Sequence, residues 1–197
     1  CIYFERGKCR ACEKFCEAGA INFEDTDKEY KLKVGAIIMC PGCDRYDPAR
    51  KQELGHGRWP NVVSSIQFER ILSASGPYKG EVKRPGDGKH PEKVAWIQCV
   101  GSRDPHNANP WCSSVCCMYA TKQSIIAKEH DERIEPTIFF MEMRAFGKDF
   151  DKYVDRAKNE YGVRYQRAMI SSVREDPESG DLYIRYAKED GTLVDEK

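Results

Sequence analysis

Ten cysteines fall into three groups: Cys1, Cys9, Cys12 and Cys16; then Cys40 and Cys43; then Cys99, Cys112, Cys116 and Cys117. A disulfide framework spreads its cysteines to close loops, and the vicinal Cys116 and Cys117 are poorly placed to bridge each other. Thiols gathered in this way, with no secretory signal beside them, point to metal or redox chemistry in a reducing compartment, the cytoplasm.

The third group, Cys99-x12-Cys112-x3-Cys116-Cys117, offers four thiols, the number a [4Fe–4S] cluster takes. The apolar run VAWI precedes Cys99 and reads as a buried strand; Cys116 and Cys117 fall in the first turn of the helix that follows. Unpaired amides and the dipole at a helix start favour thiolates and an anionic cluster. The same turn holds pyrophosphate in nucleotide-binding domains, but G-x-G-x-x-G is absent and only Gly101 lies in the loop. Sulfur stands where phosphates would bind. Arg103 and Lys122 lie close enough in sequence to stabilise a cluster's charge, although solvated positions fit them equally.

The first group spaces its thiols by seven, two and three residues. The C-x2-C-x3-C run is closer to a bacterial ferredoxin than to paired zinc knuckles. On that reading Cys1, Cys9 and Cys12 bind one [4Fe–4S] cluster and Cys16 reaches a second; the alternative is one zinc site using all four thiols. Glu17 stands where ferredoxins usually carry Pro. Cys40-x2-Cys43 could form a dithiol redox couple, but Pro41 and Gly42 make a turn without a helix start to acidify a thiol, so packing at a strand end is the preferred reading.

The elements that must position these groups follow from periodicity. YKLKVGAIIMC, from Tyr30, reads as a strand entering a buried sheet. SSIQFERILSAS reads as a helix capped by Ser64 or Ser65, and GPYKGEVKRPGDGKHPEK as an exposed linker and domain boundary. Beyond it, KVAWIQCV and PTIFFMEMRA read as strands and KDFDKYVDRAKNEYG as a helix ending at Gly162. The helix after Cys116 places Val115, Met118, Tyr119, Lys122, Ile125 and Ile126 on one face. VRYQRAMISSVRED and DLYIRYAKEDG read as two further strands. Alternation of strand and helix is the pattern of a parallel sheet and resembles half of a dinucleotide-binding fold.

Composition narrows the function. Lys+Arg and Asp+Glu balance at 32 each, so no basic stripe argues for nucleic acid and no acidic tail for a basic partner. No run approaches the roughly 20 apolar residues of a membrane helix. His56, His90, His106 and His130 are scattered and read as surface residues. The sequence opens on Cys1 rather than Met and reads as a fragment.

RWPNVVSSIQFERILSASGP, VAWIQCVGSRD, WCSSVCCMYATKQSI and MEMRAFGKDF resemble the A subunit of heterodisulfide reductase, an iron–sulfur flavoprotein of anaerobic archaea and bacteria, over nearly the whole chain. The resemblance implies an α/β, thioredoxin-reductase-like (Rossmann-type) parallel sheet with the tail of an inserted ferredoxin module. Residues 1–24 would be that tail, 25–90 part of an FAD-binding domain and linker, and 91–197 a Rossmann-like domain. In that last domain Cys99, Cys112, Cys116 and Cys117 would hold a [4Fe–4S] cluster. GAIIMCPGC would correspond to a strand and turn beside FAD, with Gly42 kept and Cys40 and Cys43 departing from the pattern. The implied function is electron transfer between FAD and [4Fe–4S] clusters, within a flavin-based bifurcating oxidoreductase and not by the fragment alone. The implied partners are the other reductase subunits, a hydrogenase or formate dehydrogenase that supplies electrons, and ferredoxin. The rival readings are a zinc-stabilised binding module and a dithiol oxidoreductase using Cys40 and Cys43.

Overall fold

The structure, a computed structural model, describes all residues but Cys43 and Ala108, with Asn107 described by its backbone alone. The chain divides into two units, Cys1–Cys43 and Asp44–Lys197.

The first unit carries two short helices, α1 (Ile2–Arg6) and α2 (Ala11–Lys14). Gly7 ends α1 in the left-handed conformation at φ 65, where glycine alone escapes a Cβ clash. Tyr3, Phe4 and Phe23 pack their rings together, and the Arg10 guanidinium lies over Tyr3 and Phe23 while pairing with Glu13. The expected strand from Tyr30 does not form: residues 24–42 carry neither helix nor strand, and Leu32, Ile37, Ile38 and Met39 are exposed. A strand persists only where its backbone groups find a partner, and among the described residues of the first unit no strand forms to pair with this segment.

In the second unit three strands, β1 (Lys93–Ile97), β2 (Glu135–Phe140) and β3 (Arg164–Arg167), form a parallel sheet in the order β1-β2-β3. The register runs from Lys93 opposite Glu135 to Ile97 opposite Phe139, and from Thr137 opposite Arg164 to Phe140 opposite Arg167. Helix α4 (Cys116–His130) connects β1 to β2, and α5 (Phe150–Asn159) connects β2 to β3. Successive residues of β2 face opposite ways, as the pleat requires. Ile138 enters a core with Trp96, Ala120, Ile125 and Ala157, on the helix side of the sheet. Phe139 joins Val173, Ile184 and Tyr186 in a second core on the other side.

That second core is closed by an antiparallel sheet, β4 (Ile170–Glu175), β5 (Leu182–Ala187) and β6 (Leu193–Glu196). The stretch VRYQRAMISSVRED, read from sequence as one strand, is therefore two. The chain leaves the parallel sheet after Arg167 and starts a hairpin at Ile170, because the apolar positions on either side of the break serve different cores.

Helix α3 (Ser65–Leu72) packs on α4. It starts in a capping box: the Gln67 amide donates to Ser64 Oγ at 3.4 Å and the Ser64 amide to Gln67 Oε1 at 2.7 Å. Its Phe68, Ile71 and Leu72 are buried, Phe68 edge-on to Trp96. The glycine- and proline-rich stretch after it is only partly exposed, since Val82 is 2 % exposed and joins the helix-side core.

The buried face of α4 differs from the one read in sequence. Ile125 is buried as expected, but Val115 is exposed, and the hidden positions are Cys117, Ala120, Thr121, Gln123, Ser124 and Ala127. Polar side chains lie inward there because each finds a partner. Thr121 Oγ1 donates to the Cys117 carbonyl at 2.9 Å, and Ser124 Oγ to the Thr121 carbonyl at 2.8 Å. Trp96 Nε1 donates to Gln123 Oε1 at 3.1 Å, and Gln123 Nε2 donates to the Ser65 carbonyl and to Glu69 Oε2. Lys122 Nζ reaches Glu69 Oε1 at 2.6 Å. Burial raises the Glu69 carboxyl, but the hydrogen bonds from Lys122 and Gln123 outweigh it and hold its pKa below the ordinary range.

Candidate metal centre

The loop after β1 carries Cys99, the α4 start carries Cys116 and Cys117, and Cys112 lies between them. Local backbone geometry brings these points together. Cys99 (φ 61), Gly101 (φ 74), Arg103 (φ 54) and Ser114 (φ 65) are all left-handed. For non-glycine residues that conformation is strained, and strain of this kind collects where a site dictates it. A Cβ on Gly101 would lie 2.2 Å from the Tyr46 ring, so only glycine lets Tyr46 cover the turn. The loop is closed by an exchange of backbone hydrogen bonds between Asp104 and Asn109, by the Arg103 amide on the Trp111 carbonyl, and by Asn109 Nδ2 on the Gly101 carbonyl. Lys51 Nζ anchors it through Asp104 Oδ2 at 2.5 Å.

The thiols are set in a field of donors. Ser113 Oγ donates to Cys116 Sγ at 3.5 Å, and the Ser114 amide to Cys112 Sγ at 3.3 Å. Val115 caps α4 without a side-chain hydrogen bond, so no side chain occupies the amides at the helix start. A hydrogen bond from Cys117, and others from Ser113 and from the Cys99 backbone, overcome burial and lower the Cys116 thiol to about 5. The same Cys116 interaction, with burial, pushes Cys117 up. Burial and the nearby Cys116 raise Cys99, against the Arg103 charge beside it. Cys99, Cys116 and Cys117 thus shift one another's protonation, and Cys112 adds to the rise at Cys99.

Two side chains beyond the cysteine motif complete it. Glu142 and Arg144 follow the end of β2, where ligands of open parallel sheets collect. A cleft of about 510 Å³ opens there, lined by Arg103, Phe140, Met141, Glu142, Met143 and Arg167. MEMRAF carries no ligand-type motif; its place in the family-like segment MEMRAFGKDF and at a strand's carboxyl end were the signals that could have singled it out.

The donor chemistry suits an anionic iron–sulfur cluster. The thiols are surrounded by N–H, O–H and guanidinium groups, and Arg103 Nη1 is buried without a hydrogen-bond partner. Among the described residues no group of three ligands converges on one point as a single ion would need. A cluster seats each thiolate on a separate iron, so it takes ligands set farther apart than a single ion does.

In the first unit, Cys1 is the N-cap of α1, Cys9 sits in a left-handed backbone (φ 107), Cys12 lies in α2 and Cys16 just beyond it. Cys1, Cys9 and Cys12 are exposed, and Cys16 Sγ accepts from the Ala20 amide at 3.4 Å. Gly42 has φ 79 with open space where a Cβ would stand, which leaves its backbone approachable but is shared by any tight turn. Cys40 is exposed; Cys43 lies outside the described residues.

No family profile matches the chain. It is 45 % identical over 169 residues, 86 % of its length, to the second A-type iron–sulfur subunit of the CoB–CoM heterodisulfide reductase of Methanopyrus kandleri. The chain belongs to the family of heterodisulfide reductase A subunits. Its counterpart in Methanocaldococcus jannaschii is 42 % identical over 178 residues, 90 % of the chain. The A subunit of the H2:CoB–CoM heterodisulfide,ferredoxin reductase of Methanothermobacter thermautotrophicus is 40 % identical over 186 residues, 94 % of the chain. The chain spans about a quarter of these relatives, 26 %, 27 % and 28 % of their lengths. Among the described residues no helix is long and apolar enough to cross a membrane.

Proposed function

We propose that this chain is an electron-relaying segment of a heterodisulfide reductase-type oxidoreductase, with Cys99, Cys112, Cys116 and Cys117 holding a [4Fe–4S] cluster. The observation that carries the reading is the meeting of Cys99 at a strand end with Cys116 and Cys117 at an uncapped helix start. The relatives' designation as iron–sulfur subunits supports it. A bound cluster supplies one-electron chemistry; the protein supplies thiolates, donors and burial that set its potential. Ser113 and the Ser114 amide place hydrogen bonds on sulfur, Tyr46 covers the Gly101 turn, and the Trp96–Gln123–Glu69 network fixes the helix that delivers two ligands.

On the same reading Cys1, Cys9 and Cys12 bind a second [4Fe–4S] cluster and Cys16 reaches a third, as the end of an inserted ferredoxin module. The parallel sheet with its two connecting helices is then a Rossmann-type domain in which thiolates replace the phosphate loop. On this reading the turn at Gly42 would contact FAD, which would supply the chemistry of flavin-based bifurcation. The names of the relatives supply the partner classes: hydrogen or formate oxidation on the input side, ferredoxin and the CoB–CoM heterodisulfide on the output side. Anaerobic purification of the whole protein with iron and sulfide analysis and electron paramagnetic resonance tests this. Iron and sulfide in equal amounts are expected; stoichiometric zinc without sulfide overturns the reading.

A further inference from the structure

Arg103 lies within the cysteine motif and Arg144 beyond it, and the two meet on one oxygen. Arg144 Nε and Nη2 donate to Glu142 Oε2 at 3.1 and 2.9 Å, and Arg103 Nη2 approaches the same atom at 3.3 Å. Backbone contacts set this trio beside the thiols: the Arg103 amide donates at 2.9 Å to the carbonyl of Trp111, the neighbour of Cys112, and Cys117 Sγ is turned toward the Glu142 carbonyl at 4.0 Å. About a quarter of the Arg103 side chain is exposed, and its Nη1 is buried without a geometric hydrogen-bond partner, so Glu142 does not use all of its donors. Glu142, by contrast, keeps more than half of its side chain in solvent.

We infer that Arg103, Glu142 and Arg144 form an electrostatic regulator of the redox centre at Cys99, Cys112, Cys116 and Cys117, with the two arginines favouring its reduced form and Glu142 partly cancelling them. The inference rests on the cluster reading above. A [4Fe–4S] cluster with four thiolates carries net negative charge, and gaining one electron adds another. Nearby fixed cations therefore stabilise the reduced state more than the oxidised one, and the effect is large where water is excluded. Arginine suits the task because it stays charged at any working pH. Glu142 attenuates both cations at once, since one oxygen holds them. The three residues are positioning and tuning groups, and none needs to touch iron.

The arrangement demands shifts of opposite sign, which a merely structural clasp does not. The test is a potentiometric titration of the whole protein, followed by electron paramagnetic resonance, with the remaining clusters as internal references. Arg103→Gln should move this one potential to more negative values, and Glu142→Gln should move it to more positive values. Arg103→Lys, which keeps the charge, should stay near the wild type. Iron per chain is measured on every variant. Shifts of the same sign, or no shift with iron retained, overturn the inference. Loss of iron in Arg103→Gln and Arg103→Lys alike would also overturn it, as the mark of a structural clasp. The cluster reading fails separately, if the wild-type signal survives removal of its cysteines.

Discussion

Trp96 Nε1 donates to Gln123 Oε1 at 3.1 Å, joining the strand that leads to Cys99 to the helix that begins with Cys116 and Cys117. Gln123 is wholly buried, and its amide nitrogen is fixed in turn by Ser65 and Glu69. A buried donor left without its acceptor costs about 1–3 kcal/mol. Gln123→Leu should therefore destabilise the fold by about that amount, read as a lower urea midpoint with an unchanged slope. An unchanged midpoint would mean that the bond contributes nothing.

The Gly101 turn supplies a second prediction. Gly101→Ala meets both a left-handed backbone and the Tyr46 ring, whereas Gly191→Ala meets the backbone cost alone, since its Cβ would enter open space. Backbone strain is worth about 1–2 kcal/mol in each. Gly101→Ala should in addition lower iron content, and Gly191→Ala should leave it unchanged. Equal iron in the two variants would detach the Tyr46–Gly101 contact from the site.

Much of this arrangement was legible in the sequence. The strand before Cys99 and the helix from Cys116 formed as read, because apolar runs and helix starts are local properties; the spacing of the four cysteines between them marks the candidate site. Glu142 and Arg144 were not legible as part of it, because their roles arise from a sheet that brings the end of β2 beside the end of β1. The inward face of α4 was misread for a related reason: Gln123, Thr121 and Ser124 look solvated by type, and only their distant partners Trp96, Glu69 and Tyr165 or local carbonyls make burial affordable. The segment from Tyr30 shows the converse, since its apolar pattern is that of a strand but pairing is a property of two segments, not one.

Asp131 gives a pH prediction. The hydrogen bond from Arg133 holds its carboxyl at about 2, well below the ordinary value of about 3.9. A depressed carboxyl stabilises the fold above its unfolded pKa, and that contribution disappears as pH falls through the folded one. In the metal-free protein, the wild type should out-melt Asp131→Asn by its full margin at about pH 5. The margin should close toward pH 2. A margin independent of pH would contradict the assignment.

The second core allows a packing test independent of any ligand. Phe139 is 2 % exposed and lies against Tyr186 with ring centroids 5.3 Å apart. Phe139→Ala should cost about 3–5 kcal/mol, read by urea denaturation; a cost within about 0.5 kcal/mol, the range of surface changes, would contradict the packing described.

The most direct measurement is the iron, sulfide and paramagnetic resonance analysis of Cys116→Ser in the whole protein, purified without oxygen. The account predicts the loss of one cluster signal and about four iron atoms per chain, with the remaining clusters intact. A spectrum and iron content identical to the wild type would contradict it.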